Sequence, residues 1–509
     1  MPAEFAPSSL FTAAETRELD RLAIEEGGLP GIVLMKRAGR AAWQLLRQRW
    51  PEARTVAVVC GGGNNGGDGY IVAGLAAEQG FQVRLVAAVD PARLRGDAAR
   101  ARDFAVAAGV SPEPVGRALE ADVVVDALLG TGVKGEVRAA QAALIEAMNA
   151  SGRPVLALDV PSGLCSDTGR ACGVAVRAQA TMTFIGVKRG LCTAAGPAHR
   201  GDLFFAGLGV PPWVYERVGG QVQRLALADL LSALPPRPRD AHKGRYGHVL
   251  VVGGERGYGG AVALAAEGAL RAGAGLTTVA TRPEHVGALL ARHPELMVRG
   301  IDKGAELELL LESASAVVVG PGLGQSGWSE QLLQRVLAAR KPTLIDADGL
   351  NIMARLGWQP APDVPLVLTP HPGEAARLLG CTVAEVQQDR FASAIQLSQR
   401  YQAEVLLKGA GSVMASSEQT GVDLCSYGNP GMASGGMGDV LSGIIGALLA
   451  QRLEAGTALR LGVCLHAASG DLAAREHGET GLVATDLMTP LRQLINRRSQ
   501  PVEVLPWTS

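Results

Sequence analysis

Short runs of buried-type residues recur along the chain, each ending in glycine or a polar residue and followed by a helical pattern. Thr55–Cys60 (TVAVVC) reads as a buried parallel strand, being short, continuous and valine-rich. It leads into GGGNNGGDG (Gly61–Gly69), with a helix expected from Tyr70. Before it, Ala14–Glu25 and Ile32–Arg49 have helical spacing. Further strands are expected at Gln82–Ala88, at Ala121–Leu129 before GTGVKGE, at Pro154–Leu158 before DVPSG, and at Thr181–Ile185 before GVKRG. Pro235, Pro236 and Pro238 interrupt the periodicity after a short helix at Leu225–Leu234. The alternation then restarts. His248–Val252, Thr277–Thr281, Ala316–Val319, Thr343–Ile345, Val367–Leu368 and Val405–Leu407 each run into Gly, Asp or His. Strand–turn–helix alternation of this kind predicts three-layer α/β/α domains with ligands beyond the strand C-termini.

A chain of 509 residues is long for one core, so two domains of about 250 residues each are expected. The proline stretch sets the division at 1–234 and 235–509. An apolar fraction of 47% with 4% aromatics and 66 glycines suits α/β enzymes with many tight turns. Net charge is −1, without basic or acidic blocks, which argues against nucleic acid and membrane surfaces as partners. Seven scattered cysteines without a C-x-x-C pair read as reduced thiols. The acidic N-terminus lacks an apolar signal core, and no run reaches the ~18–20 apolar residues of a membrane span. A soluble, cytoplasmic protein is expected.

The chemistry concentrates in a few stretches. In NPGMASGGMGDVLSG (Asn429–Gly443), Gly435, Gly436 and Gly438 precede an apolar helix, expected over Val440–Ala450, whose first N–H groups would bind an anion. Asp439 would repel a phosphate there. That conflict makes sense if it accepts a proton from an attacking hydroxyl while the amides hold the phosphoryl group; an ordinary acidic first-turn residue is the plain alternative. Gly61, Gly63 and Gly66 fit G-x-G-x-x-G, with Asp90 further on, as an NAD-dependent oxidoreductase requires. Asn64, Asn65 and Asp68, however, place polar side chains where a pyrophosphate needs bare backbone. Asn65, Asp126, Asp159 and Ser162 converge on one sheet edge, where their oxygens suit a monovalent or hard cation, although single strand-end Asp residues are often caps. Lys408 with GAGS suggests an N–H nest for phosphate. His371, between two prolines, reads as functional and His466, in an apolar helix, as a core histidine. No Walker A sequence is present.

GGGNNGGDG, VVDALLGTG and DVPSG, in that order, resemble the NAD(P)H-hydrate epimerase domain. HKGRYGHVLVVGG, VVVGPGLG, LIDADGLN, LTPHPGEAARLLG, VLLKGAGSV and NPGMASGGMGDVLSGIIGALLA resemble the ADP-dependent NAD(P)H-hydrate dehydratase. The resemblance covers nearly the whole chain and implies a Rossmann-like N-terminal and a ribokinase-like C-terminal domain. It also implies repair of hydrated nicotinamide cofactors: epimerisation of R and S NADHX or NADPHX, then dehydration of the S form with ADP, leaving AMP and phosphate. By the same resemblance, Asn64, Asn65, Gly66, Gly67, Asp68, Gly130, Thr131, Gly132, Val133, Lys134, Gly135, Glu136 and Asp159 contact the hydrate in the first domain. Asn65, Asp126 and Ser162 hold potassium there. In the second, Ala261, Gly322, His371 and Asp439 face the hydrate, and Lys408, Gly409, Ala410, Gly411, Ser412 and Gly438 the adenine nucleotide with magnesium. Asp159 and Asp439 are the expected catalytic residues, and assembly into a homo-oligomer is expected. LMKRAG departs from the family pattern, which more often has an acidic residue where Lys36 stands. A ribokinase-type small-molecule kinase with an accessory nucleotide-binding domain is the alternative.

Overall fold

Two α/β units divide the chain between Gln223 and Arg224 in the computed structural model, which describes residues 8–113, 119–133, 135–361 and 363–496. The first holds a parallel sheet in the order Gln82–Ala87, Thr55–Cys60, Val123–Ala127, Val155–Leu158, Ala180–Phe184 and Asp202–Ala206. Alternate residues of Thr55–Cys60 serve opposite faces. Val56, Val58 and Cys60 join the core with Leu46 and Tyr70, while Ala57 and Val59 pack with Ile145 and Met148. Both faces are covered, which is why these strands read as unbroken apolar runs. The strand order reverses beside Thr55–Cys60, and a crevice opens there beyond the strand C-termini.

One expectation shifts at this point. The helix begins at Asn64, not Tyr70, and takes NNGGDG into its first turns. Glycine is costly in a helix, but close packing demands it: a Cβ on Gly66 would lie 2.1 Å from the Gly61 carbonyl oxygen, and one on Gly69 2.5 Å from the Ala127 side chain.

The second unit's sheet runs Val422–Cys425, Ser412–Ala415, Glu404–Leu407, Leu366–Leu368, Thr343–Ile345, Ala316–Val319, His248–Val252, Leu276–Thr281 and Met297–Gly300. It is parallel except where Ser412–Ala415 pairs antiparallel with both of its neighbours. Here too the order reverses beside the first strand, between His248–Val252 and Ala316–Val319. The helices Gly259–Arg271, Met437–Ala450 and Ala455–His477 share a core with Val249, Val251 and Val318 on one face. Leu250 and Val252, pointing the other way, are equally buried.

The expected joint near Pro235–Asp240 moves to Gln223/Arg224. Leu227, Leu231 and Leu234 bury in the second unit's core, so the prolines follow that unit's first helical turns instead of separating the units. Among the described residues no helix is long and apolar enough to cross a membrane.

Two candidate active sites

A cavity of about 740 Å³ occupies the first unit's switch point. Asn64, Asn65, Asp68, Gly130, Thr131, Gly132, Val133, Glu136 and Asp159 all border it, as the sequence leads one to expect. Gly66, Gly67 and Gly135 do not; Gly66 and Gly67 serve close packing, Gly67 against Met35. Lys134 lies outside the described residues.

Asp126, next to last in its strand, is fully buried and accepts from the Ser162 hydroxyl at 2.5 Å, the Ser162 amide at 2.7 Å and the Leu128 amide at 3.2 Å. Burial pushes its carboxyl up to about 6 against those donors. Asn65 Nδ2 donates to the Leu129 carbonyl at 3.0 Å, whereas its Oδ1 is buried without a hydrogen-bond partner. An orphaned amide oxygen near a buried carboxylate is the donor set a weakly demanding cation would complete.

Asp159 follows Val155–Leu158 with φ 63°, a left-handed conformation that costs a non-glycine residue roughly 1 kcal/mol or more. Its Oδ1 accepts from Lys188 Nζ, the Thr183 hydroxyl and the Phe184 amide, the last two at 3.3 Å. Asp20 and Asp68 approach the same lysine. Burial raises Asp20 to about 6 and Asp68 well above the usual carboxylate range, with neighbouring negative charge adding to both and Lys188 opposing. Asp20 and Lys188 were not singled out from the sequence. Asp20 lies on the buried face of its helix, between Thr16 and Ala23, where one acid among apolar positions gives little sequence signal. Lys188 lies in the loop after Ala180–Phe184, and that place beyond a strand was its one available signal.

In the second unit, Gly322 (φ 54°) lies against Tyr258 and Ala261, so the loops after the two switch-point strands meet. The Glu255 amide donates to the Gly322 carbonyl at 2.7 Å. Asp346 ends Thr343–Ile345, buried, with Lys408 Nζ at 2.7 Å on Oδ1 and the Ser442 hydroxyl at 2.8 Å on Oδ2. Asp348 accepts from the Gly324 amide at 2.9 Å. His371 caps the helix Pro372–Leu379, its Nδ1 accepting from the Gly373 amide at 2.9 Å. Glu374 accepts from the His371 amide in return, and burial lifts its carboxyl to about 7. His371 itself is pushed down by burial, then by Lys408 and Arg377.

Gly436 (φ 89°) turns the chain into the helix Met437–Ala450, placing the amides of its first turn at the mouth of this cluster. Asp439, in that turn, is raised to about 7 by burial and by Asp346, with Lys408 opposing. KGAGS proves to be the turn between Glu404–Leu407 and antiparallel Ser412–Ala415. The Lys408 side chain reaches the acids, and a Cβ on Gly438 would lie 3.5 Å from its Nζ. His466 is buried and held neutral, pushed down to about 4, with Nε2 lacking a hydrogen-bond partner. Among the described residues no cluster of His, Cys, Asp and Glu forms a metal centre.

Each unit therefore gathers carboxylates of unequal proton affinity around one lysine at a switch point, the arrangement of a two-site α/β enzyme that moves protons. Comparison with known proteins specifies the family. Residues 31–190 match the YjeF-related protein N-terminus, and 249–493 match NAD(P)H-hydrate dehydratase. The bifunctional NAD(P)H-hydrate repair enzyme Nnr of Coxiella burnetii is 48% identical over 96% of this chain and 99% of its own length. That of Escherichia coli is 44% identical over 96% and 94%. A Bacillus subtilis ADP/ATP-dependent NAD(P)H-hydrate dehydratase, crystallised with ATP and Mg²⁺, is 32% identical and covers 54% of this chain and 97% of that one, with TM-score 0.50. A ribokinase-like superfamily protein of Enterococcus faecalis is 31% identical over 55% and 98%, TM-score 0.51. The chain belongs to the family of bifunctional NAD(P)H-hydrate repair enzymes, and its second unit has the ribokinase-like fold.

Proposed function

We propose that this protein repairs hydrated nicotinamide cofactors, the first unit interconverting R and S NADHX or NADPHX and the second dehydrating the S form with ADP. The end-to-end match to repair enzymes, over 96% of the chain, carries this reading. The kinase alternative is not favoured.

In the first unit Asn64, Asn65, Asp68, Gly130–Val133, Glu136 and Asp159 would hold the hydrate. Asn65, Asp126 and Ser162 would hold a potassium ion, which would supply fixed positive charge at the cavity. The unpartnered Asn65 Oδ1 and the buried Asp126 carboxylate support that fit.

In the second unit Asp439 takes the proton of the hydrate hydroxyl as its oxygen attacks the β-phosphorus of ADP, releasing AMP. Met437–Asp439 amides stabilise the transferring group. Phosphate then leaves with the C–O electron pair, and the neighbouring carbon loses a proton. A phosphate ester leaves far more readily than hydroxide. Ala261, Gly322 and His371 would line the hydrate's side, Gly409–Ser412 and Gly438 the nucleotide's. Lys408, bound to Asp346 and close to Gly438, would meet the phosphoryl end. A magnesium ion bound with the nucleotide would neutralise phosphate charge; Asp346 and Asp348 carry oxygens of the type it takes. Free cysteines throughout the described chain support a reducing, cytoplasmic setting. Assembly as a homo-oligomer belongs to the same reading.

Incubation with NADHX and ADP should restore the absorbance of reduced nicotinamide. A protein that consumes ADP or ATP on an alcohol substrate without that signal would return the kinase reading to first place.

A further inference from the structure

The three N–H bonds of the Lys188 ammonium all have protein acceptors: Asp159 Oδ1, the Phe184 carbonyl at 2.8 Å and the Thr183 hydroxyl at 3.2 Å. The side chain is 1% exposed. Although it borders the cavity, it has no donor left for a substrate. Its effect falls on Asp159, whose Oδ1 is saturated by Lys188, Thr183 and the Phe184 amide. Oδ2 accepts no hydrogen bond among the described residues. It faces the loop at Gly130, where a Cβ would lie 3.8 Å away, and that loop and Asn65 line the cavity. The two oxygens of one carboxylate are thus divided between protein and cavity. The left-handed backbone at Asp159 fixes that division.

Hydration of an enamine double bond puts the hydroxyl on the carbon bonded to nitrogen. Inverting that carbon needs a base for the hydroxyl proton and an acid for the ring nitrogen. Resting on the epimerase reading above, we propose that Lys188 is a positioning residue that locks Asp159 Oδ1, leaving Oδ2 as the base for the substrate hydroxyl, with Asp68 as the acid for the ring nitrogen. As Oδ2 takes the hydroxyl proton, the O–H pair forms a carbonyl. The C–N bond breaks with its electron pair on nitrogen, and Asp68 protonates that nitrogen. Rotation about the adjacent C–C bond presents the other carbonyl face. Reclosure reverses each transfer, so both protons return and no oxidant or co-reactant is required. Asp68 lines the same cavity, its carboxyl raised well above the usual carboxylate range by burial and then by Asp159 and Asp20, whereas Asp159 has the Lys188 ammonium against it.

The test is a double-mutant cycle in the full-length protein, following R-to-S conversion, with S-hydrate dehydration as internal control. Lys188→Met should lower epimerase kcat by about 10²-fold with KM little changed, because the lost element is base positioning and not substrate contact. Asp159→Asn should lose at least as much. The Lys188→Met/Asp159→Asn double variant should retain the same residual rate as Asp159→Asn, since a residue acting through Asp159 has nothing left to act on. If Lys188→Met alone does not fold because it strands a buried carboxylate, the double variant removes both charges and its comparison with Asp159→Asn still decides. Multiplying losses, or a raised KM at unchanged kcat, would overturn the role of Lys188. Asp68→Asn with an unchanged kcat would overturn the acid. Absence of R-to-S conversion in the wild-type protein would instead overturn the epimerase reading itself.

Discussion

At neutral pH the second unit holds Asp439 close to its own midpoint of ionisation, about 7 against an ordinary 3.8. A base poised there is available without being too weak to take a proton. Asp439→Asn keeps the shape and removes the basicity, so S-hydrate dehydration should fall by about 10²–10⁴-fold while epimerisation is untouched. ADP affinity should survive, because the carboxylate repels phosphate more than it holds it. Lost ADP binding with residual turnover at saturation would make Asp439 a binding residue instead. The same residue predicts a stability effect. Its folded-state pKa lies above the unfolded one, so the contribution from the protonated form is complete below about pH 4 and is lost as pH rises through 7. The Asn variant escapes that loss. Its second unit should be more stable than wild type by roughly 1–4 kcal/mol at about pH 8, unfolding at a higher temperature, and equally stable near pH 4. Thermal unfolding at the two pH values checks the sign; equal midpoints at pH 8 would contradict it. Glu374, raised to about 7 beside Lys408, pulls in the same direction.

Asp439 depends on where its helix sits, and glycines set that. A Cβ on Gly443 would lie 1.9 Å from the Ala265 carbonyl oxygen, and one on Gly268 2.7 Å from that of Val440, so Gly259–Arg271 and Met437–Ala450 pack backbone to backbone. Gly443→Ala should force the helices apart. The expected cost is about 1–3 kcal/mol and a loss of dehydratase kcat, with epimerisation as the unaffected control. Normal dehydratase activity in a variant of lowered stability would show that helix spacing does not set the position of Asp439. Such close approaches were hard to read from sequence. The strands were legible because burial on both faces leaves continuous Val-rich runs, and Thr55–Cys60, His248–Val252 and Ala316–Val319 have the expected bounds. The helix start at Asn64 was not, because intrinsic propensity argues against Gly66, Gly67 and Gly69 and only tertiary packing reverses it. KGAGS illustrates the same gap, since glycines that suit a phosphate nest equally suit the turn they form. The placement of Asp126 and Asp159 at strand ends, and of Asn65 in the turn after one, at a single sheet edge was legible from position alone. Asp20 and Lys188 were not, since their role depends on what the fold packs against them.

Across the molecule the same device occurs twice. Lys188 stands among Asp20, Asp68 and Asp159, and Lys408 among Asp346, Glu374 and Asp439. Each lysine satisfies one carboxylate directly and leaves others with raised proton affinity. Both clusters form at a strand-order reversal, where loops from separate strands converge. Each cluster is built from charged residues of its own unit, so the two activities should be separable if the cut respects the cores. The proline stretch misleads here. Leu227, Leu231 and Leu234 belong to the second core, the Leu225 amide donates to the Leu424 carbonyl at 2.9 Å, and the Leu227 amide donates to the Tyr427 hydroxyl at 3.1 Å. Burying each leucine is worth about 1.5–3 kcal/mol, and a domain's net stability is only about 5–15 kcal/mol. A fragment starting at Arg224 should therefore fold and dehydrate the S hydrate, and one ending at Gln223 should epimerise. A fragment starting at Asp240, beyond the prolines, should be insoluble or unfold at much lower temperature. Equal melting temperatures for the Arg224 and Asp240 fragments would show that residues 224–239 add nothing to the second core and would return the boundary to the prolines.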